Sequence, residues 1–135
     1  MNRFYHNVYG IFQLTDKFGL TLGFDYGTQQ KAKGSNDKNE VISPVAIAQY
    51  KFADKWAIAG RFEYYDDKNG IFIATATPNG FKTKGYSLNL DYAPIPNAVI
   101  RLEGKTFDSK DKIFNREGNA VNANTTLTAS IAVAF

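Results

Sequence analysis

The stretch Gly85-Tyr86-Ser87-Leu88-Asn89-Leu90-Asp91-Tyr92-Ala93-Pro94-Ile95-Pro96-Asn97-Ala98-Val99-Ile100-Arg101-Leu102-Glu103-Gly104-Lys105-Thr106-Phe107 decides how this chain folds. Tyr86, Leu88, Leu90 and Tyr92 alternate with Ser87, Asn89 and Asp91, and beyond the prolines Ile100 and Leu102 alternate with Arg101, Glu103 and Lys105. A two-residue period is the mark of a pleated strand, because successive side chains point to opposite faces. A turn at Pro94 to Asn97 then sets the register, placing Asp91 across from Arg101 and Asn89 across from Glu103. The hairpin has one apolar face and one charged face.

Outward from this hairpin the same alternation fills the chain, and spacing of the helical kind is almost absent. The strands expected are Arg3 to Leu14, Gly19 to Gln30, Val41 to Phe52, Trp56 to Tyr65, Gly85 to Ala93, Ala98 to Phe107 and Asn124 to Phe135. Each has about 9 to 12 residues, and at about 3.3 Å per residue with a tilt near 45° such a strand rises roughly 25 Å, the height of an outer-membrane apolar band. Strands of soluble proteins more often have about 5 or 6 residues. The connections alternate in length. Thr15 to Phe18, Ala53 to Lys55 and Pro94 to Asn97 are short, whereas Lys31 to Glu40, Asp66 to Lys84 and Asp108 to Ala123 are long. Short periplasmic turns alternating with long extracellular loops are what the two rims of an outer-membrane barrel require. A faint repeat accompanies this rhythm: Leu14-Thr15-Asp16-Lys17-Phe18-Gly19-Leu20 is echoed by Phe52-Ala53-Asp54-Lys55-Trp56-Ala57-Ile58, and Arg61-Phe62-Glu63 by Arg101-Leu102-Glu103. The period is read as one hairpin plus one outer loop, not as a propeller blade.

Composition bounds the function. The chain has 135 residues, 44% in the hydrophobic set, 15% aromatic and 21% charged, which fits one domain-sized unit and not a disordered segment. It has no cysteine, so thiolate metal sites, disulfides and cysteine nucleophiles are excluded, and its one histidine, His6, cannot make a histidine-rich metal site. The net charge of +3 comes from charges scattered along the chain, which gives no nucleic-acid signal. No run approaches the roughly 18 apolar residues of a transmembrane helix, and Met1 to Gly10 lacks the features of a signal peptide. Membrane β-barrels escape that test, since their strands are apolar only at every second position.

Parity sorts the residues onto two faces. One carries Leu20, Leu22, Phe24, Tyr26, Trp56, Ile58, Phe62, Tyr64, Tyr86, Leu88, Leu90, Tyr92, Ile100, Leu102, Leu127, Ile131, Val133 and Phe135. The other carries Asp25, Gln49, Lys51, Arg61, Glu63, Ser87, Asn89, Asp91, Arg101, Glu103, Lys105, Thr126, Thr128 and Ser130. A lipocalin-like barrel turns its apolar face inward and a membrane barrel turns it outward, and parity alone does not distinguish them. The aromatics favour the second. Phe18, Phe52, Trp56, Tyr92 and Phe135 fall at short-turn ends and Tyr26, Tyr64, Tyr86 and Phe107 toward long-loop ends, the two girdles of lipid-facing strands.

The terminal strand, with Leu127, Ile131, Val133 and the final Phe135 on one face, resembles the assembly signal read by the barrel-insertion machinery of bacterial outer membranes. A wider resemblance covers most of the chain. Ala74-Thr75-Ala76-Thr77-Pro78-Asn79-Gly80-Phe81, the strand Gly85 to Pro94, Arg101-Leu102-Glu103-Gly104, Ser109-Lys110-Asp111-Lys112-Ile113-Phe114 and Arg61-Phe62-Glu63-Tyr64-Tyr65-Asp66-Asp67 are similar to the closing half of the OmpL-like β-barrel porins. The resemblance implies an outer-membrane barrel with a pore role and brings no catalytic residue with it. Members of that family are longer and carry a signal peptide, and single-chain bacterial barrels have even strand numbers. The expectation is therefore the C-terminal part of a larger barrel, residues 1 to 135 forming one portion of a single domain. An eighth strand from Ile71 to Thr77, turned by Asn69-Gly70 and Pro78-Asn79-Gly80, is the less favoured way to an even number.

The expected fold class is thus all-β, an antiparallel transmembrane barrel segment of about seven long strands, with eight possible. The expected function is passive diffusion of small hydrophilic solutes past a charged wall of Asp25, Lys51, Arg61, Glu63, Asn89, Asp91, Arg101, Glu103 and Lys105, with Arg61, Arg101 and Lys105 attracting anions and the carboxylates attracting cations. The same residues read equally as a salt-bridge ladder filling a narrow barrel. In that alternative the barrel is closed and works structurally, or through its outer loops. A soluble lipocalin-like binder is the third class. Catalysis is not expected: no GxSxG context or phosphate cradle is present, and His6 reads as a rim residue. Asp66, Asp67, Asp108 and Asp111 are the carboxylates that calcium would need, but they lack EF-hand spacing and read as solvated loop residues. No cofactor is expected. The expected partners are membrane lipid and lipopolysaccharide, the barrel-assembly machinery, small hydrophilic solutes, and either missing N-terminal strands or an oligomer partner.

Overall fold

The computed structural model describes all residues from Met1 to Phe135. It contains β1 (Arg3–Gln13), β2 (Phe18–Gln30), β3 (Lys38–Ala53), β4 (Trp56–Asp67), β5 (Phe81–Ile95), β6 (Ala98–Ser109), β7 (Phe114–Arg116), β8 (Asn119–Val121) and β9 (Ala123–Val133), and no helix. Seven of these form one antiparallel meander in the order β1-β2-β3-β4-β5-β6-β9, and β7 pairs only with β8. The sheet is open. β1 and β9 each pair on one side alone, leaving two edges with unpaired backbone groups.

The short turns are fixed by local chemistry. In the β1–β2 turn the Thr15 hydroxyl accepts the amides of Lys17 at 3.2 Å and Phe18 at 3.0 Å, while the Phe18 carbonyl accepts those of Leu14 and Thr15. A threonine folding its side chain onto the backbone ahead of it initiates a turn in this way. At the β5–β6 turn Ile95 pairs with Ala98, and Pro96, which has no amide to offer a ladder, sits at the bend. Asn97 then reaches the end of β9, its amide donating to the Ala134 carbonyl at 2.8 Å.

The long-loop side departs from the sequence expectation. β3 starts at Lys38, not Val41, and β5 at Phe81, not Gly85, because Lys38 pairs with Gln30 and Phe81 with Asp67. Polar residues continue a ladder without difficulty where the partner strand is already present, and such residues give no hydrophobic alternation to read. The eighth strand expected over Ile71 to Thr77 does not form, and those residues belong to a folded loop. The extra hairpin lies instead at β7 and β8, turned by Glu117 and Gly118, both at positive φ (51° and 84°). β9 ends at Val133, two residues short of the expected end, with Ala134 still bonded to Asn97.

Burial identifies the inward side. Among apolar residues only Val41, Ala59 and Ile71 are buried, whereas Leu88 is 59% exposed, Leu102 49% and Leu127 76%. Polar Asp67, Thr83, Asn89, Asp91 and Ser109 are buried, and all stand on the opposite parity from those leucines. Water-exposed soluble sheets bury the apolar face. Here the sheet curls around its polar face and leaves the apolar one outside, as a lipid-facing wall does.

Candidate functional site

The inward face of β4, β5 and β6 holds two separate groups of paired charges. Asp91 and Arg101 are directly paired across the hairpin, as are Asn89 and Glu103. Arg101 grips Asp91 in a fork, Nε to Oδ1 and Nη2 to Oδ2, both at 2.7 Å, and the Asn89 amide donates to Oδ1 at 2.9 Å. A planar guanidinium matches a carboxylate in this two-point geometry, which fixes both side chains better than a lysine would. Toward the long loops, two inward rows beyond Asn89, Glu63 on β4 accepts from Arg61 Nη2 at 2.5 Å on one oxygen and from Lys105 Nζ of β6 at 2.8 Å on the other. The Lys105 ammonium also lies 4.4 Å from the centroid of the Phe107 ring.

The other inward candidates stand apart from both groups. Asp25 on β2 accepts a hydrogen bond from Asn7 of β1. Lys51 is exposed near the short-turn rim, next to a register shift between Lys51 and Ala53, and Glu103 lines the same row as Asn89. Positive and negative groups are interleaved on this wall.

Three sequence readings need correction. Phe107 does not belong to the outer girdle: it shares the parity of Arg101 and Lys105, faces inward and stacks on Phe114 of the β7–β8 hairpin with centroids 6.3 Å apart. The acidic loop residues are also dispersed. Asp66 bonds Lys82 at 2.7 Å, whereas Asp67 points to the opposite face because adjacent strand residues must diverge, and Asp111 bonds Asn79. No three His, Cys, Asp or Glu side chains converge. Lastly, Asp67, expected to be a solvated loop carboxylate, is fully buried, and in the loop that follows it Ile71 is buried while Phe72, still 42% exposed, touches Tyr5 on the inward face; the run Ile71-Phe72-Ile73 is the sequence signal for this.

On the outward face the aromatic pairs are cross-strand neighbours. Trp56 stacks on Tyr92 with centroids 4.5 Å apart at the short-turn end, and Phe62 meets Tyr86 at 5.3 Å toward the other end. Ile58, Leu88, Leu90, Ile100 and Leu102 lie between or beside them on that face. Leu127, Ile131, Val133 and Phe135 continue the apolar face onto the edge strand β9, all exposed. His6 also faces outward, opposite Tyr26, beside the ring of Phe4.

Comparison with known proteins agrees with this arrangement. The family model described as "Putative beta-barrel porin-2, OmpL-like" matches residues 1 to 135, the whole chain. No curated protein and no solved structure matches it significantly.

Proposed function

The chain belongs to the OmpL-like family of β-barrel porins, and from that membership we propose that it forms part of the wall of an outer-membrane channel that admits small hydrophilic solutes by passive diffusion. The observation that supports this most is the inversion of the two faces. A side chain such as Leu88 or Leu102, left about half exposed at the middle of a long strand, is costly in water and favourable in lipid, whereas Arg101 or Lys105 on that face would cost about 2 to 4 kcal/mol at the bilayer midplane. The polar face therefore lines water. Mixed charges along it, from Arg61, Glu63, Asp91, Arg101, Glu103 and Lys105 with Asp25 and Lys51 beyond, hydrate a path without committing it to one ion sign.

The open edges bear on assembly. β1 and β9 expose whole rows of amides and carbonyls, which hydrocarbon cannot satisfy. Further strands, from the same polypeptide or from another copy, close the wall in this reading, with this sheet as the C-terminal portion of the barrel. The short turns then face the periplasm and the long loops the cell exterior and its lipopolysaccharide, and the β9 face ending in Phe135 engages the assembly machinery.

Reconstitution of the full-length gene product in planar bilayers tests the function. Stepwise conductance in potassium chloride, together with swelling of liposomes in small sugars, is expected. A folded, heat-modifiable barrel that passes neither ion nor sugar would overturn the channel and leave the closed, loop-presenting barrel in its place.

A further inference from the structure

The segment between β4 and β5 contains no strand, yet it is tightly built. Gly80, at φ 63°, brings the loop's exit onto its entry, and a Cβ there would stand 2.2 Å from the Lys68 carbonyl oxygen. Asp67, fully buried on the inward face at the end of β4, accepts the amides of Ile71 at 2.7 Å, Phe72 at 2.7 Å and Ile73 at 2.9 Å. A closed neck with an internally bonded tip is an Ω-loop, which holds a shape of its own.

The tip does not rise away from the sheet. It crosses to β1, where Arg3 Nη2 donates to the Ile71 carbonyl at 3.1 Å and the guanidinium sits 4.9 Å from the centroid of the Phe72 ring. That ring meets Tyr5 edge-on with centroids 5.8 Å apart. The seat is cut for it by Gly27, which pairs with both Tyr5 and Val41: a Cβ at Gly27 would come within 3.3 Å of Phe72 and of Tyr5. Arg3, Tyr5, Gly27 and Val41 share the inward parity. From β4 to β1 is three strand spacings, about 14 Å, so the loop spans the inward face of half the sheet near its long-loop rim. On the return limb Asp111 of the next loop holds Asn79, accepting its backbone amide and its side-chain amide at 2.8 Å each.

We infer that the loop from Lys68 to Gly80 is a constriction laid across the mouth of the lumen, latched by Arg3 and Phe72 against β1, and that this latch sets the size limit for the hydrophilic solutes that enter. The inference rests on the channel reading. It makes Phe72 and Arg3 specificity-determining residues although neither lies among the charges of the mid-wall. The alternative fate of such a segment, an outward loop free in solvent, would expose Ile71, which is buried here, and would strip the half-exposed Phe72 of its contacts with Arg3 and Tyr5.

Two measurements on the full-length protein test it. The chain has no cysteine, so Tyr5→Cys with Phe72→Cys reads without background from this segment. A short bifunctional thiol reagent should join the two in the folded, detergent-extracted barrel and not after heat denaturation; a folded barrel that fails to cross-link overturns the placement. In planar bilayers, replacing Ile71 to Thr77 by a Gly-Ser linker should raise single-channel conductance about twofold or more and admit larger sugars, with Arg3→Ala and Phe72→Ala intermediate. Unchanged conductance in a protein that conducts overturns the constriction and leaves the channel intact. If neither wild type nor linker variant conducts while the cross-link forms, the channel reading falls, and the solute limit with it, but the loop stands where it is placed. A sealed wild type opened by the linker supports the loop as a plug at the same position.

Discussion

Glu63 pairs directly with Gly85 in the β4–β5 ladder, and because Gly85 has no side chain the carboxylate leans across it to reach Lys105 on β6. A Cβ at position 85 would stand 2.6 Å from Glu63 Cγ and 2.9 Å from the Phe107 ring. The glycine is thus a gap through which a charge pair joins two strands that are not neighbours. Gly85→Ala should cost about 1 to 3 kcal/mol through overpacking and push Glu63 off Lys105. Urea unfolding in detergent together with the reversal potential checks this: the midpoint should fall, and the freed ammonium should shift selectivity toward anions.

The charge balance of the mid-wall gives a sharper test. Glu63 is shared by Arg61 and Lys105, so Glu63→Gln leaves two cations facing water with no counter-charge beside them. Reversal potentials in a potassium chloride gradient should move toward anion preference, and Lys105→Met should move them the opposite way. Equal potentials for the two variants would mean that permeating ions do not pass this part of the wall.

Leu88 and Ser87 are adjacent in β5, with Leu88 on the outward face and Ser87 opposite Lys105 on the inward one. Leu88→Lys should cost about 2 to 4 kcal/mol and reduce the heat-modifiable folded band, whereas Ser87→Lys should fold normally. The reverse result would show that the lipid and water sides have been exchanged.

Phe135 lies beyond the last strand residue, exposed, and makes no contribution to a core. Phe135→Ser should therefore slow insertion in the presence of the assembly machinery without changing the unfolding midpoint of protein refolded in detergent. A lowered midpoint with normal insertion would show the residue to be structural.

The clasp between the β4–β5 loop and the loop after β6 is expected to weaken in acid. The side-chain and backbone amides of Asn79 both donate to Asp111 and hold its carboxyl below the ordinary aspartate value. A depressed value means that the clasp is fully present above the unfolded pKa of about 3.9 and is lost as the pH falls through the lower folded value. Protease cleavage between Ala74 and Gly80 should accordingly stay slow from neutral pH down to about pH 4 and increase below it with an acid-stable protease, while Asp111→Ala should be cleaved quickly throughout.

Much of this fold is carried by alternation. The hairpin from Tyr86 to Leu102 shows it plainly, but its register is not a matter of counting: straight counting from the Ile95–Ala98 pair would put Leu102 opposite Asp91, and the register shift between Tyr92 and Ile95 puts Arg101 there instead. Phe107 was misassigned to the girdle for a different reason: position along the strand was weighed above parity, and parity decides the face. Lys38 to Glu40 and Phe81 to Lys84 join the ladder through backbone bonds to strands already in place, which no local pattern announces.

The sequence by itself determined the strands, their pairing and the division into an apolar and a charged face, because the two-residue period of an extended backbone is a local property. Tertiary structure alone decided which face is concave, since curvature belongs to the whole sheet and appears only in the burial of Asp91 and Thr83 against the exposure of Leu88. It alone, too, carried Phe72 across to Tyr5, 67 residues away in the chain: the loop's path depends on where Ile71 can leave water, and the seat at Gly27 exists only once three strands have come together.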